Sequence, residues 1–122
     1  KYLKYSMPTK FEIIEGNTEK ILFKTNIMIS GMSSICLESL AIGIPLLVVE
    51  NSNRLNYRTI PKEISTNLYK FCKSTKDIIN SINYFENLNS STKNQNLLES
   101  NNIKLNYFNP VNKENVKKFL NL

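Results

Sequence analysis

With 122 residues, of which 41% are hydrophobic, the chain has room for one core and one domain of ordinary size, about 100–150 residues, and a second full domain is excluded. The formal net charge is +6, but the 16 basic residues are spread from Lys1 to Lys118 with acidic residues between them. No dense basic block of the kind that binds nucleic acid stands out.

Histidine and tryptophan are missing and the only aspartate is Asp77. A Ser-His-Asp arrangement is thereby removed, and a metal site loses its usual ligands. No apolar stretch approaches the roughly 18–20 residues that span a bilayer, and no charged-then-apolar leader opens the chain. Because the chain starts at Lys1 and its first apolar strand pattern arrives only at Phe11, it reads as a segment of a longer protein.

In chain order, four short β-rich runs alternate with helical patterns, the sequence sign of βαβ units and a parallel sheet. The strand candidates run from Phe11 to Ile14, Ile27 to Ile29, Leu46 to Val49 and Leu68 to Cys72. A short helix or turn is expected from Thr18 to Phe23, and a helix from Ser34 to Ile42. After the fourth strand the period changes to that of a helix from Lys76 to Leu88, with Ile78, Ile82 and Phe85 on one face and Ile79 beside them. Ser74, followed three residues later by Asp77, has the spacing of a capping box at its start.

From Asn87 to Asn102 the chain is dense in Asn and Ser and reads as a loop or a loosely held helix. A last helix is expected from about Lys113, with Val116, Phe119 and Leu120 on one face. Glu114 in its first turn and Lys117 and Lys118 near its end suit the helix dipole. Cys36 and Cys72 sit in apolar runs without metal-type spacing, so both are expected to be reduced core residues of a cytosolic protein.

The most informative stretch is Asn26 to Glu50, NIMISGMSSICLESLAIGIPLLVVE. It reads as strand, tight turn, helix, glycine stop, proline and strand. Gly31 is expected to let the backbone turn sharply, Ser33 or Ser34 to cap the helix, and Gly43 to close it in the left-handed conformation, with Pro45 preventing its continuation. The helix starts at the carboxyl end of a parallel strand, where open α/β sheets place their ligands, and its free amides suit a phosphate.

Ser34 and Glu38 are spaced i, i+4 and share a face, while Cys36, Leu37, Leu40 and Ala41 turn toward the sheet. Glu38 can then accept hydrogen bonds from ribose hydroxyls, or be no more than a solvated helix residue. Arg54 and Arg58, again i, i+4, follow the third strand candidate and offer phosphate or acceptor contacts if they are not simply solvated. A moderately positive field would also suit a phosphate-bearing or anionic glycan ligand.

The run SGMSSICLESLAIGIPLLVV resembles the signature of the C-terminal domain of GT-B-fold glycosyltransferases, in which a Gly/Ser-rich turn leads into a helix reading E-A-L-x-x-G-x-P. Glu38, Leu40, Gly43 and Pro45 match it, with Ser39 in place of the alanine. The paired Ser33 and Ser34 are similar to those of bacterial capsule and surface-polysaccharide enzymes, including sialyltransferase-like groups.

The resemblance implies an α/β fold, a Rossmann-like parallel sheet flanked by helices, forming one nucleotide-sugar-binding domain over residues 1–122. Residues 1–88 would be its α/β core and residues 89–122 a polar loop and a helix crossing back to an N-terminal domain. It further implies that Gly31, Ser33 and Ser34 hold the donor phosphate, that Glu38 binds ribose, and that the Thr18 helix lines the base pocket. The substrate would be a nucleotide sugar, with no further cofactor and no metal, and the acceptor a surface glycan or capsule polysaccharide. The catalytic base would come from the N-terminal domain, and the enzyme would work in the cytoplasm or at the inner face of the membrane.

Two departures stand out. Many retaining members carry an acidic residue eight positions before the ribose-binding glutamate, where this chain has Ser30, and the turn holds no basic residue. Two other readings stay open at this point: a nucleotide-sugar 2-epimerase-like enzyme, and a non-catalytic interaction module.

Overall fold

The computed structural model describes residues 9–50, 59–64 and 66–121. Its elements are, in order, α1 (Thr18–Leu22), β1 (Met28–Ser30), α2 (Ile35–Ala41), β2 (Leu46–Val49), β3 (Tyr69–Cys72), α3 (Thr75–Glu86), α4 (Ser90–Tyr107) and α5 (Lys113–Leu120). The three strands form a parallel sheet in the order β1-β2-β3. The fold class is therefore mixed α/β, with β1, α2 and β2 making one crossover unit.

Register decides which side chains meet. Met28 pairs with Leu46 and Leu46 with Tyr69, so these three share a level and a face. On that face Leu46 and Val48 pack with Cys36, Leu40 and Ala41 of α2, with Ile60, Ile64 and Leu68, and with Ile103 of α4. On the other face Leu47 and Cys72 pack with Phe85, and Ile78 and Ile82 close around them. The middle strand is thus buried on both sides, which explains its unbroken run Leu-Leu-Val-Val. Leu40, Leu46, Leu47 and Leu68 are fully buried, each contributing roughly 1.5–3 kcal/mol.

Helix α3 begins as its sequence suggests. The Ser74 hydroxyl accepts from the Asp77 amide at 3.2 Å, and the Asp77 carboxylate accepts from the amides of Ser74 and Lys73 at 2.9 and 3.0 Å. The Ser74 hydroxyl and these amides hold the Asp77 carboxyl below the usual carboxylate range. Toward the sheet, Lys70 places its ammonium 4.7 Å from the Tyr84 ring centroid.

Several sequence expectations change. Phe11 to Ile14 is not a strand: Phe11, Ile13 and Ile14 are exposed and no strand among the described residues pairs with them, and an apolar run without a ladder partner has no strand to form. Ile79 stands outside the apolar face of α3, more than half exposed. Of the two readings of the Asn- and Ser-rich segment, loop or loosely held helix, the helix holds and runs further than expected: it is mostly the 18-residue α4, capped by Asn89, whose side chain accepts from the Thr92 amide at 2.8 Å. The expected final helix is α5, but its Val116, Phe119 and Leu120 are exposed. Both cysteines are free and buried, and among the described residues no helix is long and apolar enough to cross a membrane.

Candidate functional site

The turn between β1 and α2 is set by its own backbone. Ser33 and Ser34 carbonyls accept from the amides of Cys36 and Leu37 at 3.1 and 3.0 Å, so the helix opens with tight i to i+3 bonds. The Cys36 thiol donates to the Gly31 carbonyl at 3.3 Å and ties the turn to the helix. Buried Ser39 donates to the Cys36 carbonyl at 2.9 Å and so fits within an apolar interface without an unpaired hydroxyl.

The far end of α2 is closed by Gly43 at φ +80°. Its amide donates to Leu40 and the Ile44 amide donates to Ser39, at 3.1 and 2.9 Å. This is the six-to-one and five-to-two pattern of a glycine-terminated helix. Pro45 follows, and its carbonyl accepts from Met28 at 2.9 Å, so the stop that ends α2 also aligns β2 with β1.

Two local expectations are corrected. Gly31 does not need to be glycine for its backbone, since its φ lies outside the left-handed region and an added Cβ would meet nothing within 4 Å. Ser34 occupies the N-cap position in a helical conformation, φ −58° and ψ −30°, and its side chain makes no capping hydrogen bond. A capping side chain usually departs from extended backbone, from which its oxygen can reach back to the free amides. The Ser33 hydroxyl also has no partner among the described residues. Gly31, Ser33 and Ser34 are all exposed.

Glu38 lies one turn further along α2 and is exposed as well. It lines a cleft of about 410 Å³ bounded by α1, α2 and the end of α4. The α1 side supplies Glu19, Leu22 and Phe23, the α2 side Ala41 and Ile42 beside Glu38, and the α4 side Lys104 and Phe108. Phe23 and Phe108 expose 73% and 37% of their surfaces, so ring area is available to a ligand. Among the described residues the one ion pair joins Lys73 and Glu50, leaving Glu19, Glu38 and Lys104 without an ionic partner. Chemically the cleft offers two carboxylate acceptors, one ammonium donor and two aromatic walls.

Gly31, Ser33 and Ser34 thus sit together on the turn, one helical turn before Glu38, but of these four residues only Glu38 lines the cleft, which opens toward Ala41 and Ile42. Arg54 and Arg58 lie outside the described residues. Sequence reasoning singled out the Thr18 helix as a wall but missed Lys104 and Phe108, because both depend on α4 being a helix. No cluster of His, Cys, Asp or Glu suited to a metal ion occurs among the described residues. No family model, no curated protein and no solved structure matches the chain.

Proposed function

We propose that the chain is the nucleotide-sugar-binding part of a glycosyltransferase with a Rossmann-like, GT-B type C-terminal half, transferring a sugar to a surface glycan or capsule polysaccharide. The observation that carries this reading is the cleft beside Glu38. Its volume of about 410 Å³ falls in the range of roughly 300–1,000 Å³ usual for small-ligand sites. Its polar groups are few and stand among apolar walls, which is how such sites fix a ligand's orientation.

In this reading the ribose hydroxyls donate to Glu38 and the donor phosphate lies toward the exposed turn at Ser33 and Ser34, one turn back along α2. The open space over Gly31, where even a Cβ would touch nothing within 4 Å, leaves room for that group. Hydroxyls and amides at the turn stabilise the charge that develops on the leaving phosphate. The catalytic base belongs to an N-terminal domain, and the exposed apolar face of α5, Val116, Phe119 and Leu120, suits docking against it.

Calorimetric titration of CMP, CDP, UDP and GDP against the wild type and Glu38→Ala tests the assignment. At least one nucleotide should bind, and the substitution should weaken it about tenfold or more, the scale of losing a charge-assisted hydrogen bond. Absence of binding to the wild type, or an affinity unchanged by Glu38→Ala, would remove the donor site.

A further inference from the structure

We infer that α5 lies on the surface of an anionic bilayer, with Val116, Phe119 and Leu120 seated at the boundary of the acyl chains and its lysines among the headgroup phosphates. The helix spans Lys113–Leu120, and none of its residues is buried. It is nonetheless closed at both ends. The Asn112 side chain accepts from the Asn115 amide at 2.8 Å, Asn115 Nδ2 donates to the Pro110 carbonyl at 2.9 Å, and Asn121 ends the helix in the left-handed conformation at φ 54°. A helix of this length is marginal in water, and most helices in proteins owe their stability to a covered apolar face. Helix α5 has such a face and, among the described residues, leaves it open.

Val116, Phe119 and Leu120 are spaced i, i+3, i+4 and form one stripe; they are 42%, 87% and 54% exposed. Val111, 94% exposed, extends the stripe across a shallow groove of about 550 Å³ between α5 and the segment before it, which Lys118 also lines. With about 100° between successive residues, Lys113 and Lys117 border the stripe beside Leu120. Glu114, the only acidic residue of the helix, falls on the opposite side. The apolar surface is therefore framed by cations and kept apart from the one carboxylate.

That arrangement suits lipid better than protein. Protein interfaces are depleted of lysine, which counts against an N-terminal domain or a second copy of the chain as the cover. Helices that lie in a membrane surface carry lysine on the polar face and phenylalanine or leucine on the other. Lysine stems can run along apolar surface while their ammonium groups reach the phosphates. The 8 residues of α5 rise about 12 Å against a hydrocarbon core of about 30 Å, so the helix lies along the surface and does not cross it. The chain's net charge of +6 adds a longer-range attraction to an anionic surface.

Co-sedimentation of the full chain with vesicles tests this, using phosphatidylcholine alone and an equal mixture of phosphatidylcholine and phosphatidylglycerol. Binding to the mixture should exceed binding to phosphatidylcholine about tenfold or more and weaken as added salt screens the charges. Phe119→Ser should lower binding to the mixture about tenfold. Lys113→Gln combined with Lys117→Gln should lower it about tenfold or more, while leaving the weaker binding to phosphatidylcholine nearly unchanged. All three positions are exposed, and circular dichroism spectra matching the wild type show that the variants are folded. No binding to either vesicle, equal binding to both, or binding that survives Phe119→Ser overturns the proposal. A dimer in size-exclusion chromatography that Phe119→Ser dissolves, with vesicles left unbound, gives the face to a protein partner and overturns it as well. Glu38 and the nucleotide titrations play no part in these measurements, so the donor site stands or falls separately.

Discussion

Helix α3 sends Ile78, Ile82 and Phe85 into the space beside Leu47 and Cys72, whereas the longer α4 turns Asn96, Ser100 and Ile103 inward and leaves Leu97, Leu98 and Leu105 exposed. The first helix is held by an apolar stripe and a reciprocal cap. The second lies against α2 through small and polar side chains with a single large apolar anchor. One is therefore stable by area, the other by closeness of fit, and the proposed cleft lies at the end of the second, where Lys104 and Phe108 reach α1 and α2.

The largest effect expected from this contrast is at Phe85. Replacing it with alanine empties the centre of one face of the core and should cost about 3–5 kcal/mol, while Ile103→Ala in α4 should fall at the low end of about 2–5 kcal/mol. Urea denaturation of both variants gives the order. A greater loss from Ile103→Ala would mean that α4 contributes more burial than its contacts suggest.

The junction of α2 and α4 gives a smaller effect. Gly43 is at φ +80°, and an added Cβ would stand 3.5 Å from the Leu97 side chain and the Ser100 hydroxyl, an ordinary contact. Space is thus available and the cost of Gly43→Ala comes from the left-handed backbone, about 1–2 kcal/mol. A thermal scan should show a lowered midpoint with the fold retained. An unchanged midpoint would mean that the α2 stop tolerates a side chain and does not depend on glycine.

The same contrast separates what can be read in the sequence from what cannot. Leu46 to Val49 forms β2 over its expected bounds, and the Ile78, Ile82 and Phe85 pattern announces α3, because in both the buried residues are the apolar ones. In α4 the relation is reversed: Asn96 and Ser100 are buried while Leu97 and Leu98 are exposed, and no periodicity of hydrophobic residues can reveal that face. Phe11 to Ile14 fails for the complementary reason, since its pattern is that of a strand but pairing depends on a partner that the local sequence does not contain. The turn before α2 forms without the glycine backbone and the serine cap that its residues suggest, but the helix that carries Glu38 was legible because Gly43 and Pro45 mark its stop chemically. Lys104 and Phe108 were not, since only the path of α4 brings them to the cleft.

Asn96 offers the smallest and most discriminating change. Its side-chain carbonyl is buried without a hydrogen-bond partner in a residue only 5% exposed, and its neighbours in a groove of about 290 Å³ include Gly43, Pro45, Leu68, Phe85 and Leu88. An unpaired buried acceptor costs about 1–3 kcal/mol relative to a satisfied one, and leucine has nearly the branching of asparagine at the same carbon. Asn96→Leu should therefore leave stability unchanged or raise it by about 1 kcal/mol, measured as a shift in the denaturation midpoint with constant slope. If α4 is held by fit and its polar residues add little, the variant packs at least as well as the wild type. A loss of more than about 1 kcal/mol would show that the amide is satisfied in solution, and α4 would then be anchored by a polar contact in the way that α3 is anchored by Phe85.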